Sequence, residues 1–253
     1  MVEYLGGSGN VDLTLFILVG LAFVGALVVG VTGFGSALVT IPIATQFVPL
    51  QFALPLFALV DLSTAFSVGL ENPRNASREE WRRLVPMILV GTALGVTLLV
   101  KLPRAAGMAL LGAFVVSYAL YSLVRRGPAR VIHPRWAWIA GLCGGITSTI
   151  FGAGGPPYAM YLSQRGLSKE QFRATMGFAI MTSISVRVVA FLISGLLLDR
   201  TVWLTALAAV PAALLGLWIA RHLYLRISRE ALMRAVALIL LASGSALLLR
   251  ALY

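Results

Sequence analysis

Charge is what this sequence of 253 residues most lacks. Only 11% of it is charged, against about 25% in an ordinary soluble domain. With 59% hydrophobic residues, that deficit excludes a water-soluble fold of this length. Acidic residues are scarcest: nine Asp and Glu against twenty Lys and Arg, a net charge of +11. Such an excess would suit nucleic acid, but no stacking motif or basic helix accompanies it. Cysteine is reduced to Cys143, which excludes an intrachain disulfide and a cysteine metal cluster. Cys143 lies in an apolar run and is expected to be a small buried hydrophobe. The two histidines, His133 and His222, lie in basic loops, so no Ser–His pair is expected at depth. Asp61 has no second intramembrane aspartate beside it. These gaps point away from an enzyme, and no cofactor or metal is expected. The first residues carry Glu3 and Asp12 but no basic residue. A signal peptide would need a positive start, so the first helix is expected to be retained.

What the chain has is apolar runs. They fall at 13–31, 36–48, 52–70, 84–100 and 105–124, then 137–151, 156–164, 174–195, 201–220 and 231–250. A bilayer-spanning helix needs about 20 apolar residues. Most runs approach that, but 36–48 and 156–164 are too short. Both short runs follow a glycine cluster, Gly30-Val31-Thr32-Gly33-Phe34-Gly35-Ser36 and Phe151-Gly152-Ala153-Gly154-Gly155-Pro156-Pro157.

The halves read as copies. Gly33-Phe34-Gly35 matches Gly152-Ala153-Gly154. Pro86 and Gly91 match Pro211 and Gly216, and Arg104 and Met108 match Arg229 and Met233. Internal repeats of this kind are common among transporters. Loop charge gives the orientation. Arg74, Arg78, Arg82 and Arg83 form one basic loop, and Arg125, Arg126, Arg130 and Arg135 a second. Arg165, Lys169 and Arg173 form a third, and Arg221, Arg226 and Arg229 a fourth. Basic loops belong on the cytoplasmic side. A plain eight-helix path puts two of the four outside. If each glycine cluster is instead the tip of a hairpin, all four face the cytoplasm. The two halves, about 11–124 and 136–252, are then inverted copies within one transmembrane domain, 1–253. The expected fold is an all-α membrane protein of about eight to ten segments, each half a broken-helix hairpin plus three transmembrane helices. The sequon Asn75-Ala76-Ser77 falls on the cytoplasmic side and carries no weight.

A helix broken inside hydrocarbon leaves backbone groups without partners unless protein or water supplies them. Paired breaks therefore mark a candidate binding site. Half-helices starting near Ser36 and Pro156 would aim N–H donors and positive dipole ends at the midplane, which suits an anion. Gly33, Phe34, Gly35, Ser36, Gly152, Gly154, Gly155 and Pro156 are the candidate substrate residues. Hydroxyls of Thr32, Thr40, Ser148 and Thr149 stand nearby. The competing reading is glycine used only for close helix packing; Gly91/Gly95 and Gly141/Gly145 are expected to do that. Proline at Pro156 and Pro42 reads as a restarting helix.

Two charges lie deep in apolar runs, Asp61 near the midplane and Arg187 somewhat outward. Such charges are costly and functional by default. Arg187 suits a sulfonate or carboxylate, and Asp61 suits proton coupling. The alternative is a structural ion pair between them.

Gly30-Val31-Thr32-Gly33-Phe34-Gly35 with Pro42 downstream, and Gly144-Gly145 followed by Phe151-Gly152-Ala153-Gly154-Gly155-Pro156, resemble the two signature regions of the TauE/SafE sulfite exporter family. The resemblance covers nearly the whole chain, including the charged central loop and Arg173. It implies a multi-pass permease of the bacterial cytoplasmic membrane that exports sulfite, sulfoacetate or a related small anion. The partners expected are that anion and the lipid bilayer, with homodimerisation and the coupling ion left open. An anion channel, a carrier of a small carboxylate and a purely structural subunit are the competing readings.

Overall fold

A computed structural model describes residues 8–101, 103–124 and 131–223, with isolated positions 241, 245 and 249. The run 231–250, and with it Met233, Arg229 and Arg226, lies outside a continuous description, as do Arg125, Arg126 and Arg130. Among the described residues the fold is wholly helical: α1 (Ser8–Thr32), α2 (Ser36–Ala44), α3 (Leu50–Gly69), α4 (Arg78–Lys101), α5 (Arg104–Val124), α6 (Trp136–Phe151), α7 (Gly155–Leu162), α8 (Lys169–Ile193) and α9 (Arg200–Leu223). Five of these, α1, α3, α4, α8 and α9, are long and apolar enough to cross a membrane.

The short helices are short for local reasons. Gly33 and Gly35 sit at φ +85° and +97°, and Gly152 at +70°, the left-handed region that ends helices. So α1 stops at Thr32 and α6 at Phe151. The restarts α2 and α7 have nine and eight residues. At about 1.5 Å per residue neither crosses a ~30 Å core. Pro156 and Pro157 stand in the first turn of α7, where a missing N–H costs nothing.

Both breaks are tips of hairpins. In the first, Gly25 of α1 lies against Thr40 and Ser36 of α2. In the second, the chain returns to its starting end. The Ile132 N–H, before α6, donates to the Gln164 carbonyl, after α7, at 3.1 Å.

Two glycine seams hold the helices. A Cβ on Gly91 of α4 would stand 2.3 Å from the Leu142 carbonyl of α6, and one on Gly145 would stand 2.6 Å from the Ile88 carbonyl. On the other side, Gly216 of α9 meets the Phe23 carbonyl of α1, and Gly30 of α1 meets Ala220. Close backbone approach is how helices pack where lipid removes the hydrophobic drive. Gly91, Gly95, Gly141 and Gly145 are thus packing residues. In each seam the two helices run in the same direction. The helix α3 packs on α8 and α9, and α4 packs on α8. With α2, α3 forms the centre of the fold; most of α3 is buried, whereas most of α4 is not.

Ion pairs gather the basic ends. Glu71, after α3, binds Arg173 of α8 at 3.4 Å and Arg221 of α9 at 2.7 Å. Glu80 of α4 binds Arg165, after α7, at 3.0 Å. Several basic residues expected in loops are helical. Arg78, Arg82 and Arg83 lie in α4, whose first turn gains from Glu79 and Glu80. Lys169 and Arg173 lie in α8, which starts at a capping box of Ser168 and Gln171. Arg221 and His222 form the last turn of α9. Cys143 is exposed rather than buried, because Gly141, Gly144 and Gly145 occupy the packed face of α6.

Candidate functional site at the paired helix breaks

The two breaks meet. A Cβ on Gly155 would stand 2.9 Å from the Phe34 ring, and one on Gly152 would stand 2.8 Å from Ala37 Cβ. Between them lies a cavity of about 40 Å³. Gly33, Phe34, Gly35, Ser36, Asp61, Gly152, Gly154, Gly155 and Pro156 all line it. Nine of the ten site residues proposed from sequence therefore face one space. Arg187 does not line it; it lies behind, 1% exposed.

Four residues form a polar chain across the site. Ser36 Oγ, at the start of α2, donates to Asp61 Oδ1 at 2.7 Å. Asp61 Oδ2 lies 3.4 Å from Arg187 Nη2. Arg187 Nη1 donates to the Ser148 carbonyl in the last turn of α6 at 2.6 Å. That carbonyl is one a helix end leaves open, and a cation there complements the dipole. The structural ion pair between Asp61 and Arg187 is thus formed, and it ties the start of one half-helix to the end of the other broken helix. Arg187 Nε has no partner among the described residues.

Sequence reasoning missed Tyr158, Ser183 and Gly177, which line the same cavity. Tyr158 OH donates to Ser183 Oγ at 3.0 Å. The Tyr158 ring is seated against Gly144, where a Cβ would stand 2.0 Å from the ring. The signal was present in α8: Ser183 precedes Arg187 by four residues, so both fall on one helical face. Of the hydroxyls singled out, Ser148 lines the cavity. Thr149 Oγ1 is spent on the Gly145 carbonyl and Thr32 Oγ1 on Val28 and Phe34 carbonyls. Thr40 Oγ1 is buried without a partner among the described residues. The half-helix ends are unequal. The start of α2 carries N–H groups at Gly35, Ser36 and Ala37; that of α7 has only Gly154 and Gly155, since Pro156 and Pro157 have none.

A second polar cluster sits at the basic end. Glu80 is buried and accepts from Tyr161 OH, from Arg83 Nη1 at 2.7 Å and from Arg165 Nε at 3.0 Å. The bond to Glu80 pushes the Arg165 guanidinium further above its ordinary range.

Membrane-length helices, all-helical among the described residues and broken in two places around one cavity with Ser36, Asp61, Ser148 and Ser183 in its wall, are built as a membrane transporter. The family model described as "Sulfite exporter TauE/SafE" matches residues 17–247. The chain belongs to that family. It is 25% identical over 193 residues to "Probable inner membrane transporter protein TsaS" of Comamonas testosteroni, covering 76% of this chain and 81% of the relative. It is 25% identical over 228 residues to "Probable sulfite/organosulfonate exporter TauE" of Cupriavidus necator, covering 87% of this chain and 88% of the relative. No solved structure matches.

Proposed function

We propose that this protein is a secondary carrier that exports a small anion, sulfite or an organosulfonate such as sulfoacetate, across a bacterial cytoplasmic membrane. The observation that carries this reading is the meeting of both breaks at one cavity. Sulfur enters through the relative named as a sulfite/organosulfonate exporter. The anion would be held by backbone N–H groups at Gly35, Ser36, Gly154 and Gly155, with Phe34 and Pro156 shaping the walls. The Gly33 and Gly152 N–H groups already bond the Val29 and Thr147 carbonyls, so these two glycines would line the site without donating to it. Ser183 and Tyr158 add hydroxyls. Arg187 would reach the anion only by releasing Asp61, and Asp61 would then take up a proton, which is the coupling role assigned to it. About 10–15 Å³ of such volume holds one water. The present cavity of about 40 Å³ therefore suits a compact oxyanion better than sulfoacetate.

Two inverted repeats, which belong to this reading, would suit alternating access. The pairings α1–α9 and α6–α4 correspond under exchange of the halves, as do α3–α9 and α8–α4. Since α4 starts and α9 ends at the basic end, α1 and α6 would run oppositely. A site of only about 40 Å³, with no wide pore through it among the described residues, favours a carrier over a channel. A thermal-shift series of the purified protein with sulfite, sulfoacetate, taurine, sulfate and carboxylates tests the substrate, because a ligand raises stability by mass action. Saturable counterflow of the stabilising anion in proteoliposomes is then expected. Conductance far above carrier rates would instead make it a channel.

A further inference from the structure

A second space opens beneath the first break, at the basic end. Its volume is about 390 Å³, and Thr32, Gly33, Ser163, Lys169, Phe172 and Arg173 are among the residues that line it. Gly33 lines both this space and the central cavity. The two spaces also share a wall in α8: Met176 lines the outer one and Gly177, the next residue, lines the inner. At Gly33 a Cβ would meet nothing within 4 Å apart from its chain neighbours Thr32 and Phe34, so no residue from another element fills the junction at that point. Lys169 and Arg173 are four apart on α8 and share one face. Arg173 is held by Glu71 at 3.4 Å, which fixes its position at the rim. A third space, of about 360 Å³, meets the same Arg173 from the Glu71 side.

We infer that this outer space is a cytoplasmic antechamber in which Lys169 and Arg173 gather an oxyanion or sulfonate before it passes Gly33 to the site. The inference rests on the anion-carrier reading for its cargo. A concave space with cationic residues and apolar walls concentrates anions, and the effect weakens with salt. The acidic residue beside it, Glu71, is already engaged by Arg173 and Arg221. Glu170, in the first turn of α8, accepts from Ser168 Oγ at 3.0 Å and lines the third space rather than this one. Transport direction fits: an exporter collects its cargo from the cytoplasm.

The test reads the charge of the space without requiring transport. Ser163 is exposed and lines it, so Ser163→Cys in a Cys143→Ser background gives one reporter thiol. The probes are sulfonatoethyl methanethiosulfonate, an anion, and trimethylammonioethyl methanethiosulfonate, a cation, added to inside-out vesicles. The anionic reagent is expected to react faster relative to its rate with a free thiol. Adding Lys169→Gln should lower the anion-to-cation preference about threefold to tenfold, and high salt should do the same. A thiol that is unreactive from the cytoplasmic face overturns the inference, as does one with no charge preference or a preference indifferent to Lys169. Flux in proteoliposomes separates the two readings. If the labelling is as expected but the protein carries no anion, the carrier reading fails and the basic antechamber stands. If anion flux is robust but the labelling shows no preference, the antechamber fails alone.

Discussion

The Asp61 carboxylate lies 3.4 Å from the Arg187 guanidinium, and both side chains are almost wholly removed from solvent. The pair bridges two helices, α3 and α8, that pack at the centre of the fold. Each partner is further anchored to a broken helix, Asp61 through Ser36 and Arg187 through the Ser148 carbonyl. Removing one partner leaves an uncompensated charge in an apolar setting, at a cost of about 3–5 kcal/mol. Asp61→Asn and Arg187→Gln should each destabilise strongly. The double variant should cost clearly less than the sum, with a coupling of about 1–3 kcal/mol. Thermal unfolding of the four proteins in one detergent measures it; additive losses would mean that the pair contributes nothing.

The same pair yields a prediction about ligand response. In the wild type Asp61 balances Arg187, so an anion gains little net charge attraction. In Asp61→Asn the guanidinium is unbalanced. Sulfite should therefore raise the Tm of Asp61→Asn more than that of the wild type, and should raise that of Arg187→Gln least. Equal shifts in all three would remove Arg187 from the anion's surroundings.

The breaks were legible in the sequence because glycine and proline act locally. Clustered glycines make left-handed backbone cheap, and Gly33, Gly35 and Gly152 adopt it, while Pro156 is tolerated in the first turn of a helix. Gly91 and Gly216, from which a repeat is expected, each sit in a helix seam. Tertiary facts were not. Tyr158 and Ser183 bear hydroxyls in apolar stretches, and nothing local says that they meet across 25 residues. The start of α4 read as loop because Arg and Glu dominate it, yet acidic residues in a first turn favour the helix. The face of Cys143 was set by three neighbouring glycines that a partner helix requires.

Tyr158 tests the architecture of the cavity wall. Its ring lies where a Gly144 side chain would be, 2.0 Å from the Cβ position. Gly144→Ala should displace the ring and cost about 1–3 kcal/mol as overpacking. Tyr158→Phe removes only the bond to Ser183, a loss of about 1 kcal/mol. Unfolding midpoints should rank wild type, then Tyr158→Phe, then Gly144→Ala. The reverse order would mean that the ring has room to move.

Two glycines in long helices should respond oppositely to alanine. Gly20 in α1 is exposed, and a Cβ there meets nothing within 4 Å. Gly20→Ala should stabilise by about 0.4–1 kcal/mol through the unfolded chain. Gly91→Ala would put its methyl 2.3 Å from the Leu142 carbonyl, which backbone cannot easily relieve. It should force α4 from α6 and lower the Tm. The opposite signs, read in one thermal series, separate packing glycines from incidental ones.

Glu80 predicts a local effect at the basic end. Its carboxylate accepts from Tyr161, Arg83 and Arg165, and Arg165 also donates to the Ile132 carbonyl. One acid thereby joins the start of α4, the end of α7 and the approach to α6. Glu80→Gln keeps the shape but offers one acceptor oxygen and no charge, so Arg165 loses its charged partner. Tyr161→Phe removes a single bond and should do less. Amide exchange between Ser163 and Ser168 should accelerate in Glu80→Gln, because Arg165 no longer pins that turn. Exchange around Gly152 and Gly155 should be unchanged, since those tips are held by Phe34, Ala37 and the Arg187 bridge instead. Acceleration at both places would mean that the Glu80 cluster supports the second hairpin as a whole, from its ends to its tip.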